Sequence, residues 1–239
     1  MDEYYVYGRN AVRECVRSGA AKVIYALPRL SDDGVVIEAK KRGIEVRLAD
    51  EGKLSKLSGN AKNQGLICLS VKPSPIALSE LIKKASAKRY PLILILDGIE
   101  DPSNLGAILR SCDAFGVDGI VIKSHGNAPL NSTVAHVSTG AINYVPVCVL
   151  PNLSQALSEL KDAGYWVVSS DGEAQTSYEE VDYHCPIALI VGSEGFGVSK
   201  LIIKRSDYIV KIPMVGHVNS LNASVATGIL ISHIHLARK

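Results

Sequence analysis

The pattern of apolar and polar positions predicts two α/β regions along the chain. In the first region, short β-branched runs alternate with segments whose apolar residues recur every three or four positions, as they do in amphipathic helices. This pattern predicts strands at 23–27, 44–48 and 66–71 and helices at 8–18, 32–42 and 51–57. The prolines of Lys72-Pro-Ser-Pro75 then indicate a stiff linker, followed by an amphipathic helix at about 78–87.

After Pro91, apolar runs alternate with helical segments to the end of the chain. Continuous β-branched runs of this kind are typical of a parallel sheet covered on both faces. The predicted strands are 92–96, 119–122, 145–150, 166–169, 187–191 and 208–212. Apolar residues recur at the spacing of a helix at Leu105, Ile108, Leu109 and Cys112. A second helix is predicted for the long apolar segment at 222–237. We therefore predict an α/β protein with a small domain at 1–72, a linker and helix at 73–90, and a parallel-sheet domain at 91–239.

Glycine- and amide-rich loops follow three of the predicted strands. They are Asp97-Gly-Ile-Glu-Asp-Pro-Ser-Asn104, Val191-Gly-Ser-Glu-Gly-Phe-Gly197, and a segment from Ile212-Pro-Met214 through Gly216 to Asn219-Ser-Leu-Asn222. Because the carboxyl ends of parallel strands meet at one edge of a sheet, ligands bind in the crevice there. The sequence therefore predicts one ligand site assembled from three loops. The second loop reads Gly-x-x-Gly-x-Gly, the reverse of the dinucleotide fingerprint, which argues against NAD.

Charge is distributed unevenly along the 239 residues, although the net charge is only +2. Residues 1–72 carry 13 Lys and Arg against 9 Asp and Glu, whereas residues 73–239 carry 13 against 15. A basic N-terminal region is compatible with contacts to nucleic-acid phosphates, and equally with ordinary surface charge.

The remaining composition indicates a cytoplasmic protein without a metal site. The five cysteines are widely spaced and form no Cys-x-x-Cys pair, so neither a zinc cluster nor a disulfide framework is expected. The first residues are acidic, unlike the start of a signal peptide. No apolar run approaches the ~20 residues of a membrane span, so no membrane partner is expected.

The three loops, in this order, resemble the motifs of the SpoU (TrmH-type) branch of the SPOUT methyltransferases. The resemblance extends over nearly the whole chain and includes Tyr7-Gly-Arg-Asn-Ala-Val12. It implies methyl transfer from S-adenosylmethionine to a ribose 2′-hydroxyl of ribosomal or transfer RNA. It also implies an N-terminal RNA-binding domain similar to the ribosomal protein L30e type, and a deep trefoil knot in the last third of the chain. Asn63-Gln-Gly65 stands where the family usually has His-Gln-Gly.

The resemblance assigns the catalytic role to Arg110. A ribose 2′-hydroxyl is a poor nucleophile until it is deprotonated or polarised. Arg110 could act as the base or, because a guanidinium is effectively always charged, as a cation that lowers the hydroxyl pKa. Asn104 is expected to cap its helix and also to orient Arg110 or the RNA, and Glu194 to orient Arg110 or the target nucleotide. Ser220 and Asn222 belong to the same catalytic set.

Cofactor contacts are implied for a second group of residues. By the resemblance, S-adenosylmethionine is bound by Gly192, Gly197, Ile212, Ser220 and Leu221. The glycines would let the main chain approach an adenosine closely. No catalytic metal is needed, because the sulfonium already carries a good leaving group.

A homodimer is expected from the last helix. Its apolar residues occupy more than one stripe, so it should bury two faces, and the resemblance implies a second subunit on one of them. We then expect an obligate homodimer with the cofactor site beside the subunit interface.

The leading hypothesis is therefore a 2′-O-methyltransferase that acts on RNA, most similar to the group that modifies a guanosine of large-subunit ribosomal RNA. Two alternatives remain: a transfer-RNA ribose methyltransferase, and a non-catalytic RNA-binding protein that has kept the fold.

Overall fold

The computed structural model describes residues 2–217 and 220–239, and the chain divides into two compact units. Unit 1 is Met1–Ser74 with Pro129–Tyr144, and unit 2 is Pro75–Ala128 with Val145–Lys239. The strands are β1 Glu3–Tyr7, β2 Ala21–Ala26, β3 Glu45–Leu48, β4 Leu66–Val71, β5 Leu92–Asp97, β6 Gly119–Lys123, β7 Val147–Leu150, β8 Trp166–Ser170, β9 Thr176–Ser177, β10 Ile187–Gly192 and β11 Tyr208–Lys211. The helices are α1 Arg9–Ser18, α2 Gly34–Lys41, α3 Glu51–Leu57, α4 Leu78–Ala85, α5 Pro102–Phe115, α6 Ser132–Val137, α7 Leu153–Asp162, α8 Lys200–Ile203 and α9 Ala223–Ala237.

Unit 1 is built on a four-stranded mixed sheet in the order β1-β4-β2-β3. Strand β4 runs antiparallel to β1 and β2, and β2 runs parallel to β3. Leu66, Ile67 and Cys68 are consecutive apolar residues and all are buried, as expected for a strand that lies between two others and has both faces covered. Strand β1 was not predicted from the sequence.

The segment Pro129–Tyr144 belongs to unit 1, which differs from the predicted boundary of one continuous domain at 91–239. Its helix α6 packs on β1. The ring of His136 stacks on Tyr7 with centroids 4.5 Å apart, and its Nδ1 lies 2.8 Å from the Tyr7 carbonyl oxygen. These contacts join residues 129 positions apart, and hydrophobic periodicity carries no information about such pairings.

Unit 2 contains a seven-stranded sheet in the order β7-β6-β5-β10-β8-β11-β9, and all of its recorded strand pairs are parallel. The two central strands, β5 and β10, are buried along their whole length because helices cover both faces. Helix α4, which the sequence placed with the linker, contributes buried Leu78, Leu81 and Ala85 to the core of this unit. The predicted α/β class with a parallel sheet is confirmed.

Each predicted strand is present within two residues of its expected ends. The sequence did not predict the short strand β9 or the helices α6, α7 and α8. The implied trefoil knot stays a prediction. In the described part of the chain, no helix is long and apolar enough to cross a bilayer.

Candidate active site

The first two predicted loops start side by side because β5 and β10 are neighbours in the sheet. Their register places Gly192 opposite Asp97, the last residues of the two strands. The main-chain N–H of Ser193 then donates to the Asp97 carbonyl oxygen at 3.1 Å. The carboxyl ends of the two strands therefore form one continuous edge.

The loop after β10 is closed by its own hydrogen bonds. The Gly197 N–H donates to the Ser193 carbonyl oxygen at 2.9 Å, and the Phe196 N–H donates to Ser193 Oγ at 3.4 Å. Gly197 has a φ of 64°, in the left-handed region that favours glycine. A Cβ at Gly192 would collide with the main chain of Gly197, so the strand end and the loop end pack backbone against backbone.

The residue that caps α5 differs from the predicted one. Asp101 caps this helix, because its Oδ1 accepts the Ser103 N–H at 2.8 Å and Pro102 occupies the first turn. The expectation that Asn104 is the N-cap is therefore wrong. Its side chain instead donates from Nδ2 to Glu194 Oε1 at 3.0 Å. Asn104 thereby joins the first loop to the second.

The start of α9 brings in the third loop. Asn222 caps this helix, since its Oδ1 accepts N–H bonds from Ser224 at 2.9 Å and Val225 at 3.3 Å. Its Nδ2 donates to Asn104 Oδ1 at 2.9 Å and to Glu194 Oε1 at 2.5 Å. Helix α9 packs along α5, which brings the two helix starts together.

Asn104, Glu194 and Asn222 thus form a closed set of hydrogen bonds, here called the Asn–Glu–Asn cluster. Glu194 Oε1 accepts from both amides and, at 3.3 Å, from the Ala223 N–H at the positive end of α9. The three side chains lie in the first turn of α5, in the loop after β10 and at the N-cap of α9, so the cluster fixes these three segments to one another. No donor is assigned to Glu194 Oε2 within residues 2–217 and 220–239, so this oxygen remains available to a ligand.

Two cavities lie on either side of the cluster. The β11 cleft, of about 230 Å³, is lined by residues after β8, β10 and β11 and at the start of α9. The β5 cavity, of about 450 Å³, is lined by residues after β5, β6 and β10. Both cavities share a wall made of Ser193, Glu194, Phe196, Gly197 and Ala223. The second cavity is within the usual size range of ligand sites.

All predicted site residues except Arg110 lie in the Asn–Glu–Asn cluster or line one of the two cavities. The proposed cofactor residues all line the β11 cleft: Gly192, Gly197, Ile212, Ser220 and Leu221. Asn219, which the sequence placed in the same polar run, lies outside the described residues. Three further lining residues, Ser170, Asp171 and Gly172, were not singled out from the sequence. They could have been predicted as site residues, because this polar and glycine-containing segment directly follows a predicted strand.

Arg110 is not part of the Asn–Glu–Asn cluster. It follows Asn104 by six positions on α5, which places it about 120° around the helix and about 9 Å along its axis. It is exposed, and no hydrogen bond or ion pair to the cluster is assigned to it among the described residues. One chain alone therefore does not bring Arg110 to Glu194.

A buried ion pair forms the floor of the β5 cavity and was not foreseen. The Asp97 side chain is 6% exposed; its Oδ1 lies 2.8 Å from Lys123 Nζ, and its Oδ2 accepts the Ser199 N–H at 2.9 Å. Burial acts to raise the pKa of Asp97, but Lys123 and the Ser199 hydrogen bonds outweigh it, so the pKa lies below its ordinary value. The carboxylate is therefore charged and holds the Lys123 ammonium in place.

Comparison with known proteins agrees with this geometry. A sequence model described as the SpoU rRNA Methylase family matches residues 91–232, and one described as RNA 2′-O ribose methyltransferase substrate binding matches residues 5–76. A Staphylococcus epidermidis protein, whose name assigns it to the TrmH family of tRNA/rRNA methyltransferases, is 38% identical over 243 residues. That match covers 100% of this chain and 97% of the relative.

Solved structures show the same fold. The SpoU methyltransferase AviRb from Streptomyces viridochromogenes, crystallised with AdoMet, aligns with a TM-score of 0.82 at 22% identity, covering 99% of this chain and 90% of its own. The A. aeolicus TrmH/SpoU tRNA modifying enzyme aligns with a TM-score of 0.58 at 33% identity, covering 67% of this chain and 82% of its own. Because the first sequence model covers more than half of the chain and the S. epidermidis protein matches it from end to end, the chain belongs to the SpoU rRNA methylase family.

Proposed function

We propose that this RNA methyltransferase moves a methyl group from S-adenosylmethionine to the 2′-hydroxyl of a guanosine in large-subunit ribosomal RNA. The observation that supports this most directly is the Asn–Glu–Asn cluster in the wall between two cavities. A transfer between two substrates requires two sites that meet at the reacting atoms. The cluster lies at that meeting point.

The residues of the β11 cleft fit S-adenosylmethionine. The lining is mostly small or apolar, which suits an adenine ring, and two carboxylates, Asp171 and Glu194, suit a ligand with cationic groups. Gly192, Gly197, Ile212, Ser220 and Leu221 would hold it. When bound, this cofactor supplies a methyl group on a sulfonium and therefore needs no metal.

In this proposal the ribose lies on the β5-cavity side of the shared wall, where Glu194 orients it. Asn104 and Asn222 both donate to Oε1 of Glu194, and among the described residues no donor is assigned to Oε2. We assign to this oxygen the orientation of the ribose hydroxyl or of Arg110. Ser220, on the cofactor side, completes the set. Arg110 then acts as base or polariser.

Arg110 reaches this site, in our proposal, from a second copy of the chain. Within one chain it lies about 9 Å along α5 from Asn104. Helix α9, which packs on α5, exposes Val225 (50%) and Leu236 (60%) while burying Leu230, Ile231 and Ile234 against its own unit. A homodimer would cover the exposed face and bring Arg110 of one copy to the cluster of the other.

Unit 1 supplies the RNA-binding surface in this proposal, in line with the match at residues 5–76. Asn63, which replaces the family's histidine, shapes the loop: its Oδ1 accepts the Gly65 N–H at 2.9 Å, and its Nδ2 donates to Ser58 Oγ at 3.3 Å. The next residue, Gln64, accepts the Arg9 N–H at 2.9 Å. The role of Asn63 is therefore structural, and RNA contacts fall to its neighbours.

A cytoplasmic location stays a prediction.

The test uses the purified full chain, S-adenosylmethionine labelled on the methyl group, and total RNA from cells that lack the gene. Label in the large ribosomal RNA fraction, recovered as 2′-O-methylguanosine after digestion, is the expected result. Label in transfer RNA would favour the alternative that the relatives' names leave open. Absence of S-adenosylmethionine binding by calorimetry would favour a non-catalytic RNA-binding protein.

A further inference from the structure

Phe196 occupies an unusual position for one of only two phenylalanines in the chain. It lies in the hydrogen-bonded loop after β10, its side chain is 96% exposed, and it lines both cavities. The loop is braced on the Ser193 carbonyl and hydroxyl, so the ring is presented on a fixed support. An exposed aromatic ring on such a support is suited to stacking on a planar ligand.

The charges around the β5 cavity restrict what that ligand is. Four carboxylates line it, those of Asp97, Glu100, Asp101 and Glu194, against the single ammonium of Lys123. The excess of negative charge disfavours a phosphate in this cavity and favours an uncharged group that offers N–H donors. Glu100 is exposed, and no hydrogen-bond partner is assigned to its side chain in the described part of the chain.

Lys123 provides the complementary donor. Its side chain is 30% exposed, and its ammonium is held 2.8 Å from the buried Asp97 carboxylate. An ammonium has three N–H bonds, so the ion pair leaves capacity for an acceptor in the cavity. The cavity thus presents to the same ligand a fixed cation, Lys123, and the Glu100 carboxylate, to which no partner is assigned among the described residues.

We propose that the β5 cavity holds the base of the target nucleotide, extruded from the RNA, with Phe196 stacked on its face and Lys123 and Glu100 reading its edge as guanine. Guanine carries acceptors at O6 and N7 beside adjacent N1–H and N2–H donors. Its donor edge matches the Glu100 carboxylate, while O6 or N7 matches Lys123. Proteins that recognise single-stranded RNA commonly stack its splayed-out bases on aromatic side chains, and enzymes that modify a base extrude it into a pocket.

The inference rests on the proposed function, and the cavity's position supports it. The shared wall that contains Phe196 also contains Glu194, so a base in the β5 cavity would leave its ribose beside the Asn–Glu–Asn cluster. The other bases match less well. Adenine has no acceptor at the O6 position, and uracil offers a single N–H.

The first test compares Phe196→Ala with Phe196→Trp, measuring methyl transfer to total RNA from cells that lack the gene. Loss of a base stack lowers RNA affinity roughly 5–100-fold, so KM for RNA should rise by that factor in the alanine variant and stay near wild type in the tryptophan variant. Leu201→Ala is the control, because Leu201 is 58% exposed in the same unit and lines neither cavity.

Three results would overturn the stacking role of Phe196. They are an unchanged KM for RNA in Phe196→Ala, a lower affinity for S-adenosylmethionine in that variant, or its dissociation into monomers by sedimentation. The last two would show that the ring serves the cofactor or a second copy of the chain.

The second test concerns the base edge and separates the inference from the proposed function. Glu100→Gln should lower kcat/KM for RNA by roughly 5–100-fold, whereas Asp162→Asn, which removes an exposed carboxylate outside both cavities, should not. If Glu100→Gln leaves kcat/KM for RNA unchanged while label is still recovered as 2′-O-methylguanosine, the base-edge role is overturned and the proposed function stands. Label recovered as another 2′-O-methylnucleoside overturns the base assignment but leaves the methyltransferase, and no label in any RNA overturns both.

Discussion

Asn222 donates a hydrogen bond from Nδ2 to Glu194 Oε1 at 2.5 Å while its Oδ1 caps helix α9. One side chain therefore both caps the helix and orients the Glu194 carboxylate. The two roles use different atoms of the amide, so substitutions can separate them.

Substitution of Asn222 should separate stability from activity. Asn222→Ala removes the cap and should lower the free energy of unfolding by about 1 kcal/mol, as well as slowing methyl transfer. Asn222→Ser keeps a capping oxygen but loses the Nδ2 donor, so it should restore stability and leave transfer slow. Urea unfolding and single-turnover transfer measure the two effects. Full transfer by the serine variant would show that the bond to Glu194 is dispensable.

Arg110→Ala should reduce methyl transfer by roughly 10²–10⁴-fold while leaving the affinity for S-adenosylmethionine nearly unchanged. The reason is that Arg110 lies outside the β11 cleft. Single-turnover transfer and calorimetry provide the two measurements. Retention of more than a tenth of the wild-type rate would rule out the catalytic role.

Mixing two inactive variants tests whether Arg110 acts across a dimer. Arg110→Ala and Glu194→Gln should each be nearly inactive alone, but random mixed dimers with two-fold symmetry should recover about a quarter of wild-type activity. The recovery comes from the one site per mixed dimer that keeps both groups. If the mixture, refolded together, shows no recovery, Arg110 and Glu194 act within the same chain.

Gly192→Ala should displace the loop after β10, because its Cβ would collide with the main chain of Gly197. We expect a loss of about 1–3 kcal/mol in unfolding free energy and weaker S-adenosylmethionine binding. Gly195→Ala is the matched control for stability, because no atom lies within 4 Å of its Cβ position and its φ is not in the left-handed region. Equal stability of the two variants would contradict the backbone packing described above.

The ion pair in the β5 cavity should make stability depend on pH. The pKa of Asp97 is lowered in the folded state, so its contribution to stability is present above the ordinary value of 3.8 and is lost as pH falls through the lower folded value. Lys123→Met should therefore cost roughly 2 kcal/mol at neutral pH, and the difference from wild type should shrink in acid. Urea unfolding from pH 7 downward measures it. A difference that does not change with pH would exclude Asp97 as the cause.

The sequence predicted most helices and strands of the core, although not α7, because their burial repeats with a local period. Strands β5 and β10 are continuous apolar runs, and α5 shows apolar residues at every third or fourth position. The three loops could also be placed, since each combines glycine and amide residues directly after a buried run. The resemblance of these loops to the SpoU motifs, rather than residue types alone, identified Asn104, Glu194 and Asn222 as members of a site.

What these residues do to one another depended on the tertiary structure. The sequence indicated that Asn104 caps α5, but Asp101 is closer to the helix start and accepts the N–H bond, which frees Asn104 to reach Glu194 90 positions away. Asp97 and Lys123 each follow a predicted strand, and they form an ion pair only because the sheet order makes β5 and β6 neighbours. Phe196 belongs to the second predicted loop, and the fold places it in the wall shared by the two cavities. Local periodicity encodes which residues are buried, whereas contacts between distant loops depend on strand order and helix packing, which no local pattern contains.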